Sequence, residues 1–200
     1  ALLAVAAIVL AYFTRSAGLP LLLAAAIWLA WRRRWTLLGV LTAVTAPLAA
    51  WWMIRARSAG GIDYTGELWM RNPYDPAAGT IGVPDLFPRI GENLVAYVTT
   101  HLPFLLTARA DTLGLIVSVA VTLLAVGGWA WRVAAWRRLR PAELVLPLYM
   151  GLILIWPAVW AGDRFLLPVY GVILFFAADA LVQLVRRLRA PLAFSVGAAA

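Results

Sequence analysis

Apolar runs at 1–13, 19–31, 35–54, 111–131, 141–157 and 166–185 are separated by stretches that hold most of the charge. The last four are each about the ~17–25 residues that an α-helix needs to cross a bilayer. The first two are shorter and flank Thr14-Arg15-Ser16-Ala17-Gly18. Read as one span, they bury Arg15 at mid-membrane, which costs roughly 3 kcal/mol on insertion scales. Read as a hairpin, they turn at 15–18, where Ser16, Gly18 and Pro20 are turn and helix-start residues. The hairpin is the better reading. At ~1.5 Å per residue each arm reaches about 20 Å, short of a ~30 Å hydrocarbon core, so Arg15 is expected below the outer surface.

A polar stretch follows the third run and holds most of the Gly and Pro turn signals. Within it, Ile90, Leu94, Tyr97, Val98, His101 and Leu105 recur at three- and four-residue steps, with Arg89, Glu92 and Asn93 off that stripe. This spacing predicts an amphipathic helix over 87–107, lying on the outer interface. The fold class expected is all-α: a polytopic transmembrane helix bundle with an extracytoplasmic loop carrying an interfacial amphipathic helix. Its parts are a hairpin plus one span at 1–54, the loop at 55–110, three spans at 111–189, and a tail or start of a further helix at 190–200.

Composition agrees: 64% of residues are hydrophobic and 13% charged, with a mean hydropathy of +0.87. No water-soluble domain carries such a surface. The net charge of +8 and a pI near 11.0 raise nucleic acid as a partner until the 17 basic residues, all arginine, are placed. Ten of them (Arg32, Arg33, Arg34, Arg132, Arg137, Arg138, Arg140, Arg186, Arg187, Arg189) fall in loops on one side, against the single acid Glu143. Seven (Arg15, Arg55, Arg57, Arg71, Arg89, Arg109, Arg164) fall on the other, balanced by seven acids. The positive-inside rule puts the first set in the cytoplasm and loop 55–110 outside an inner (plasma) membrane. Tryptophans at the run ends (Trp28, Trp31, Trp35, Trp129, Trp131 and Trp136 inside; Trp51, Trp52, Trp156 and Trp160 outside) give the same topology. The high pI is therefore a membrane signal, with no nucleic acid implied.

The absence of cysteine excludes disulfides and thiolate metal sites, and a single His leaves a zinc site to be built mostly of carboxylates, which is unusual. No cofactor is read from the residues. Ala1 stands inside an apolar run without a charged n-region or cleavage site, so no signal peptide is read and the chain is taken as an internal or C-terminal piece of a longer protein. The most concentrated chemistry is Trp160-Ala161-Gly162-Asp163-Arg164-Phe165-Leu166-Leu167-Pro168, an acid and an arginine side by side between two spans. Two arginines, Arg164 and Arg15, fall at the outer membrane face. The plainer reading of Arg164 is a bond to Asp163 or snorkelling. The plainer readings are interfacial packing for His101 and solvated interfacial charge for Arg55, Arg57 and Arg89. Asp179, near Gln183, Arg186 and Arg187, reads as an ion-paired helix end.

Thr14-Arg15-Ser16-Ala17-Gly18-Leu19-Pro20, followed by an apolar run and Trp31-Arg32-Arg33-Arg34, resembles a segment of the membrane glycosyltransferases related to protein O-mannosyltransferases and to the lipid A aminoarabinose transferase. Asp163-Arg164-Phe165-Leu166-Leu167-Pro168 resembles their C-terminal segment, and Asn72-Pro73-Tyr74 with Glu92-Asn93-Leu94-Val95-Ala96-Tyr97 is similar in style to their outer loop. The resemblance implies a GT-C-type enzyme that passes a sugar from a polyprenyl-phosphate carrier to an acceptor outside the membrane, with inversion. The lipid-linked sugar donor is then the substrate, with Arg164 and Arg15 as candidate ligands of its phosphate and Asp163, His101, Arg89 and Tyr170 as candidates for lining the site or binding the acceptor; membrane lipids and an acceptor protein, lipid or glycan are partners. Ser16-Ala17 replaces the family's Pro and acid, Phe165 replaces its Tyr, and its catalytic acid belongs to a first outer loop without counterpart here. No catalytic residue is therefore expected within these residues. Rival readings are a transporter or flippase fragment and a non-catalytic membrane assembly subunit.

Overall fold

The computed structural model describes residues 2–14, 18–58, 64–109, 111–134 and 139–197. In these residues the apolar runs form helices α1 (Leu2–Thr14), α2 (Leu19–Trp31), α3 (Trp35–Ser58), α7 (Thr112–Ala134), α8 (Pro141–Ile155) and α9 (Asp163–Gly197). Between α3 and α7 lie α4 (Tyr64–Leu68), α5 (Leu86–Ala96), a π-helical turn (Tyr97–His101) and α6 (Leu102–Thr107). No strand forms among the described residues; the closest approach is one bridge between Met70 and Thr80. Three helical segments, Trp35–Arg55, Thr112–Ala134 and Asp163–Leu188, are long and apolar enough to cross a membrane.

Two differences from the sequence reading concern helix ends. Helix α3 runs past Ile54 to Ser58, and α9 runs past Arg189 to Gly197, so the tail at 190–200 does not start a separate helix in its described part. Arginine and leucine favour the helix, and no glycine stop follows Val185 until Gly197. The two arms α1 and α2 form separately, as the hairpin requires, while its turn at 15–17 lies outside the described residues. After Trp31, Arg33 takes a left-handed conformation (φ 53°). The Arg34 N–H then returns to the Leu29 carbonyl at 2.8 Å and closes the helix end.

Helices α7, α8 and α9 share one core, in which Ala125, Leu146, Tyr149, Ile153, Leu166, Val169, Ile173 and Phe176 are buried. A second core joins α1, α2 and α3 through Val5, Val9, Ala25, Leu29 and Leu41. The two meet where α2 packs on α8: Ala24 and Ala25 are buried, and the Trp28 indole N–H donates to the Leu139 carbonyl at 2.8 Å. Small residues let the α7 and α9 backbones approach closely. A Cβ on Gly128 would stand 2.2 Å from the Phe176 carbonyl oxygen, whereas one on Gly127 would meet nothing within 4 Å.

Proline breaks shape the rest. Pro147 inside α8 has no N–H for the carbonyl of Glu143, four residues earlier, and the Trp129 indole of α7 donates to it at 2.8 Å. In the π turn the Leu102 N–H pairs with Tyr97, five residues back. In that register Pro103 leaves the Val98 carbonyl without a partner, and fully buried Ser118 of α7 donates to it at 2.7 Å. Each freed carbonyl is thus closed by a donor from another helix.

Polar groups collect at two ends. At the arginine-rich end, Arg132 makes a two-pronged contact with Asp179 (2.9 and 3.0 Å) and reaches Glu143 at 3.5 Å. The Glu143 side chain, 3% exposed, also accepts from the Arg140 backbone N–H at 2.7 Å. Asp179 is therefore paired across helices with Arg132, a correction to the expected pairing with the arginines of its own helix. At the loop-bearing end, His101 meets Asp163 at 2.7 Å. Sixteen residues of α9 separate Asp163 from Asp179, about 24 Å at 1.5 Å per residue.

The glycine pair gives a direct test of the α7–α9 contact. Gly128→Ala should lower stability by about 1–3 kcal/mol, since the clash is with backbone. Gly127→Ala should match or exceed wild type. Thermal unfolding of the purified variants in detergent reads both; equal loss in the two would refute the close approach at Gly128.

Candidate functional site

The loop-bearing end is assembled on the C-terminus of α8. That helix has 15 residues, about 22 Å, and stops at Trp156-Pro157, leaving its last carbonyls without helical partners. Side chains of α5 supply donors. Asn93, 1% exposed, donates from Nδ2 to the Leu154 and Trp156 carbonyls, both at 2.8 Å. Arg89, 7% exposed, donates to the Leu68 and Met70 carbonyls at 2.7 Å each and to Ile155 at 3.4 Å. Burial lowers the Arg89 pKa from its ordinary value, while Glu92 and Asp85 act in the opposite direction.

This overturns the face expected for the 87–107 helix. Arg89 and Asn93 belong to the buried stripe, whereas Leu94 and Val95 are exposed. The carbonyls at the α8 end need donors, which apolar side chains cannot provide. Arg89 is therefore neither a solvated interfacial charge nor open toward an acceptor; its N–H groups are spent on protein carbonyls.

From α5 the stripe runs Arg89, Asn93, Tyr97 at four-residue steps, and then the π turn adds one residue. Leu102, 4% exposed, takes the next core place, and His101 is turned aside to Asp163. The dyad is partly accessible, with side-chain exposures of 19% for His101 and 37% for Asp163. The Tyr97 ring lies 5.3 Å from the imidazole. Burial pushes the Tyr97 pKa up to about 12, against a smaller lowering by the nearby Gly162 backbone. Tyr149 donates to the Phe165 carbonyl at 2.8 Å, fixing the start of α9.

Arg164 is exposed, with its guanidinium 5.0 Å from the Phe165 ring centre. The carboxylate beside it is engaged by His101. Tyr170 donates weakly to the Leu105 carbonyl at 3.4 Å, holding α6 to α9. Trp156 and Trp160, on the segment that leads from α8 into α9, form an aromatic row with Tyr74, with centroid separations of 5.8 and 5.9 Å. Of the candidates from the sequence, His101 and Asp163 come together, and Arg164 follows Asp163 on α9 with its guanidinium over Phe165. Arg89 and Tyr170 serve the backbone, and Arg15 lies outside the described residues.

Below Tyr97 lies a cavity of about 260 Å³. Tyr97, Val98 and Leu102 line its loop-side wall, Ala125 and Trp129 of α7 and Leu146, Met150 and Leu154 of α8 its flanks, and Leu166 and Ile173 of α9 its back. Three further lining residues, Leu94, Val126 and Pro147, are exposed and mark a lateral mouth between α5, α7 and α8. The lining is apolar apart from the Tyr97 hydroxyl and Thr122, whose buried Oγ1 has no hydrogen-bond partner among the described residues. Such a space takes a hydrocarbon chain, and its Tyr97 wall adjoins the dyad.

Sequence reasoning missed Asn93 and the cavity. The signal for Asn93 was Pro157, which ends α8 and exposes carbonyls that a nearby amide must meet. No group of three or more metal-ligating side chains occurs among the described residues. No family model, curated protein or solved structure matches the chain.

Burial of Tyr97 makes an alkaline transition testable. The folded pKa near 12 lies above the ordinary tyrosine value of about 10. Its contribution to stability is therefore complete below about pH 10 and is lost as pH rises toward 12. Tyr97→Phe should flatten that part of the stability–pH curve; an unchanged curve would place the ring in solvent. Asn93→Leu, which leaves two carbonyls unpaired, should cost about 1–3 kcal/mol per carbonyl in chemical denaturation. A neutral result would show that Asn93 does not hold the α8 end.

Proposed function

We propose that this chain is the membrane part of a polyprenyl-phosphate-dependent glycosyltransferase, the part that holds the lipid carrier. In this reading the helices form a multi-pass bundle in the plasma membrane. The arginine-rich end is cytoplasmic, and the loop-bearing end is extracytoplasmic. The observation that carries the reading is the apolar, laterally open cavity whose Tyr97 wall adjoins the His101–Asp163 pair, with Arg164 next along α9. An amphiphile with a long hydrocarbon chain and a charged head needs those two environments in contact, with entry from the bilayer.

Arg164 is the phosphate ligand in this assignment. Its guanidinium is exposed and its neighbouring carboxylate is already bonded to His101, so the cation is not spent on Asp163. Arg15, on the segment that precedes α2, is assigned as a second cation. Helix α2 runs antiparallel to α8, because its C-terminal Trp28 bonds Leu139 just before α8 begins. Its N-terminus therefore lies toward the loop-bearing end. During transfer, the acceptor oxygen attacks the anomeric carbon as the bond to the carrier phosphate breaks, and the acceptor's proton passes to a general base. Fixed cations stabilise the charge that develops on the departing phosphate. The row of Trp156, Trp160 and Tyr74 offers aromatic faces to the sugar or acceptor.

Binding of a polyprenyl phosphate in nanodiscs tests this reading. Arg164→Ala and Arg15→Ala should each weaken binding by about 1.5–3 kcal/mol, the value of a hydrogen bond to a charged group. Ala125→Phe, which fills the cavity, should weaken both the phosphate and the uncharged polyprenol. Unchanged binding in all three folded variants would refute the carrier site and favour a non-catalytic assembly subunit.

A further inference from the structure

A second groove lies between α7 and α9 at the arginine-rich end, about 170 Å³ in volume and lined by Gly127, Gly128, Trp131, Gln183, Leu184 and Arg187 among others. Its shape follows from the glycines. At Gly128 the helices touch through backbone, while at Gly127 the space above the Cα is empty. Trp131 and Arg187 stand at the polar end, with the guanidinium 4.3 Å from the indole ring centre.

We propose that this groove seats one anionic glycerophospholipid, its phosphate on Arg187 and Gln183 and its first methylenes over Gly127. Charge identifies the occupant. Arg132, the other cation of this end on α7, is consumed by Asp179 and Glu143, whereas Arg187 contacts no carboxylate among the described residues. The cation–π contact with Trp131 holds the guanidinium at the groove without using a carboxylate, and guanidinium N–H groups suit a phosphate. Gln183 precedes Arg187 by four residues and so lies on the same helix face, adding amide donors.

Depth gives a second argument. Arg187 lies 24 residues along α9 from Asp163, about 36 Å at 1.5 Å per residue. A bilayer has a hydrocarbon core of ~30 Å within a total of ~40–45 Å. With Asp163 at one interface, Arg187 therefore reaches the opposite headgroup layer, while Gly127 and Gly128 remain at acyl depth. The site requires α7 and α9 to cross a bilayer and does not depend on the transferase reading.

The experiment uses the full chain in nanodiscs of mixed phosphatidylglycerol and phosphatidylcholine, with retained lipid counted by native mass spectrometry. Wild type should retain phosphatidylglycerol preferentially. Arg187→Gln should reduce that preference about fivefold, the effect of one cation at a charged surface. Gly127→Leu should reduce it as much with every charge intact, and Gly127→Ala, a smaller filling, should give part of that loss even where leucine impairs folding. Arg186→Gln removes the same charge off the groove and should keep the preference. Equal loss in Arg186→Gln, or full preference in Gly127→Leu, would reduce the effect to diffuse surface attraction and overturn the site. So would a dimer in wild type that Gly127→Leu turns monomeric without altering lipid retention, since a second copy would then occupy the groove.

Discussion

Backbone carbonyls released where helices break must find donors inside a structure whose outer face is largely apolar. This constraint accounts for much of the polar chemistry between the helices. Trp129 answers the carbonyl that Pro147 frees, Ser118 the one that Pro103 frees, and Asn93 with Arg89 the open end of α8. An unpaired carbonyl costs several kcal/mol in hydrocarbon. The breaks therefore act as specific ties between helices that apolar packing alone would leave free to slide.

Charge is arranged by the same logic at the two ends. The Arg132, Asp179 and Glu143 group joins α7, α8 and α9, one arginine shared by two carboxylates. Removing any one would strand its partners, which is why such groups are costly to break even when their net contribution is small. The His101–Asp163 pair at the other end is more accessible and joins the loop layer to α9. The carboxylates of one end are thus tied to Arg132, while the other end keeps a partly accessible acid–imidazole pair with an exposed arginine next to it in the chain.

Much of the helical framework was legible in the sequence because apolar runs and basic loops carry it directly. Helix positions, the separate arms of the hairpin and the likeness of the two polar ends to membrane faces follow from periodicity and arginine placement. The face of the 87–107 helix was not legible. Periodicity assigns Arg89 and Asn93 to solvent, and they are turned inward by carbonyls at the end of α8, more than 60 residues away, and, for Arg89, by those of Leu68 and Met70. The His101–Asp163 contact was hidden for a similar reason, since it joins residues 62 positions apart through a π turn. Arg164 was recognisable from its neighbours, whereas the cavity depends on how three helices diverge.

The π turn ultimately sets the phase between two halves of one helix. Successive residues of an α-helix are rotated by about 100°, and the widened turn absorbs one residue of that rotation. Arg89 and Asn93 fix the phase of the first half, while His101, Tyr170 and Ser118 fix that of the second. Deleting one residue between Tyr97 and His101 would restore a regular helix and force a choice. The chain would then keep its hold on the end of α8 or its contact with Asp163, because a regular helix cannot be in register with both.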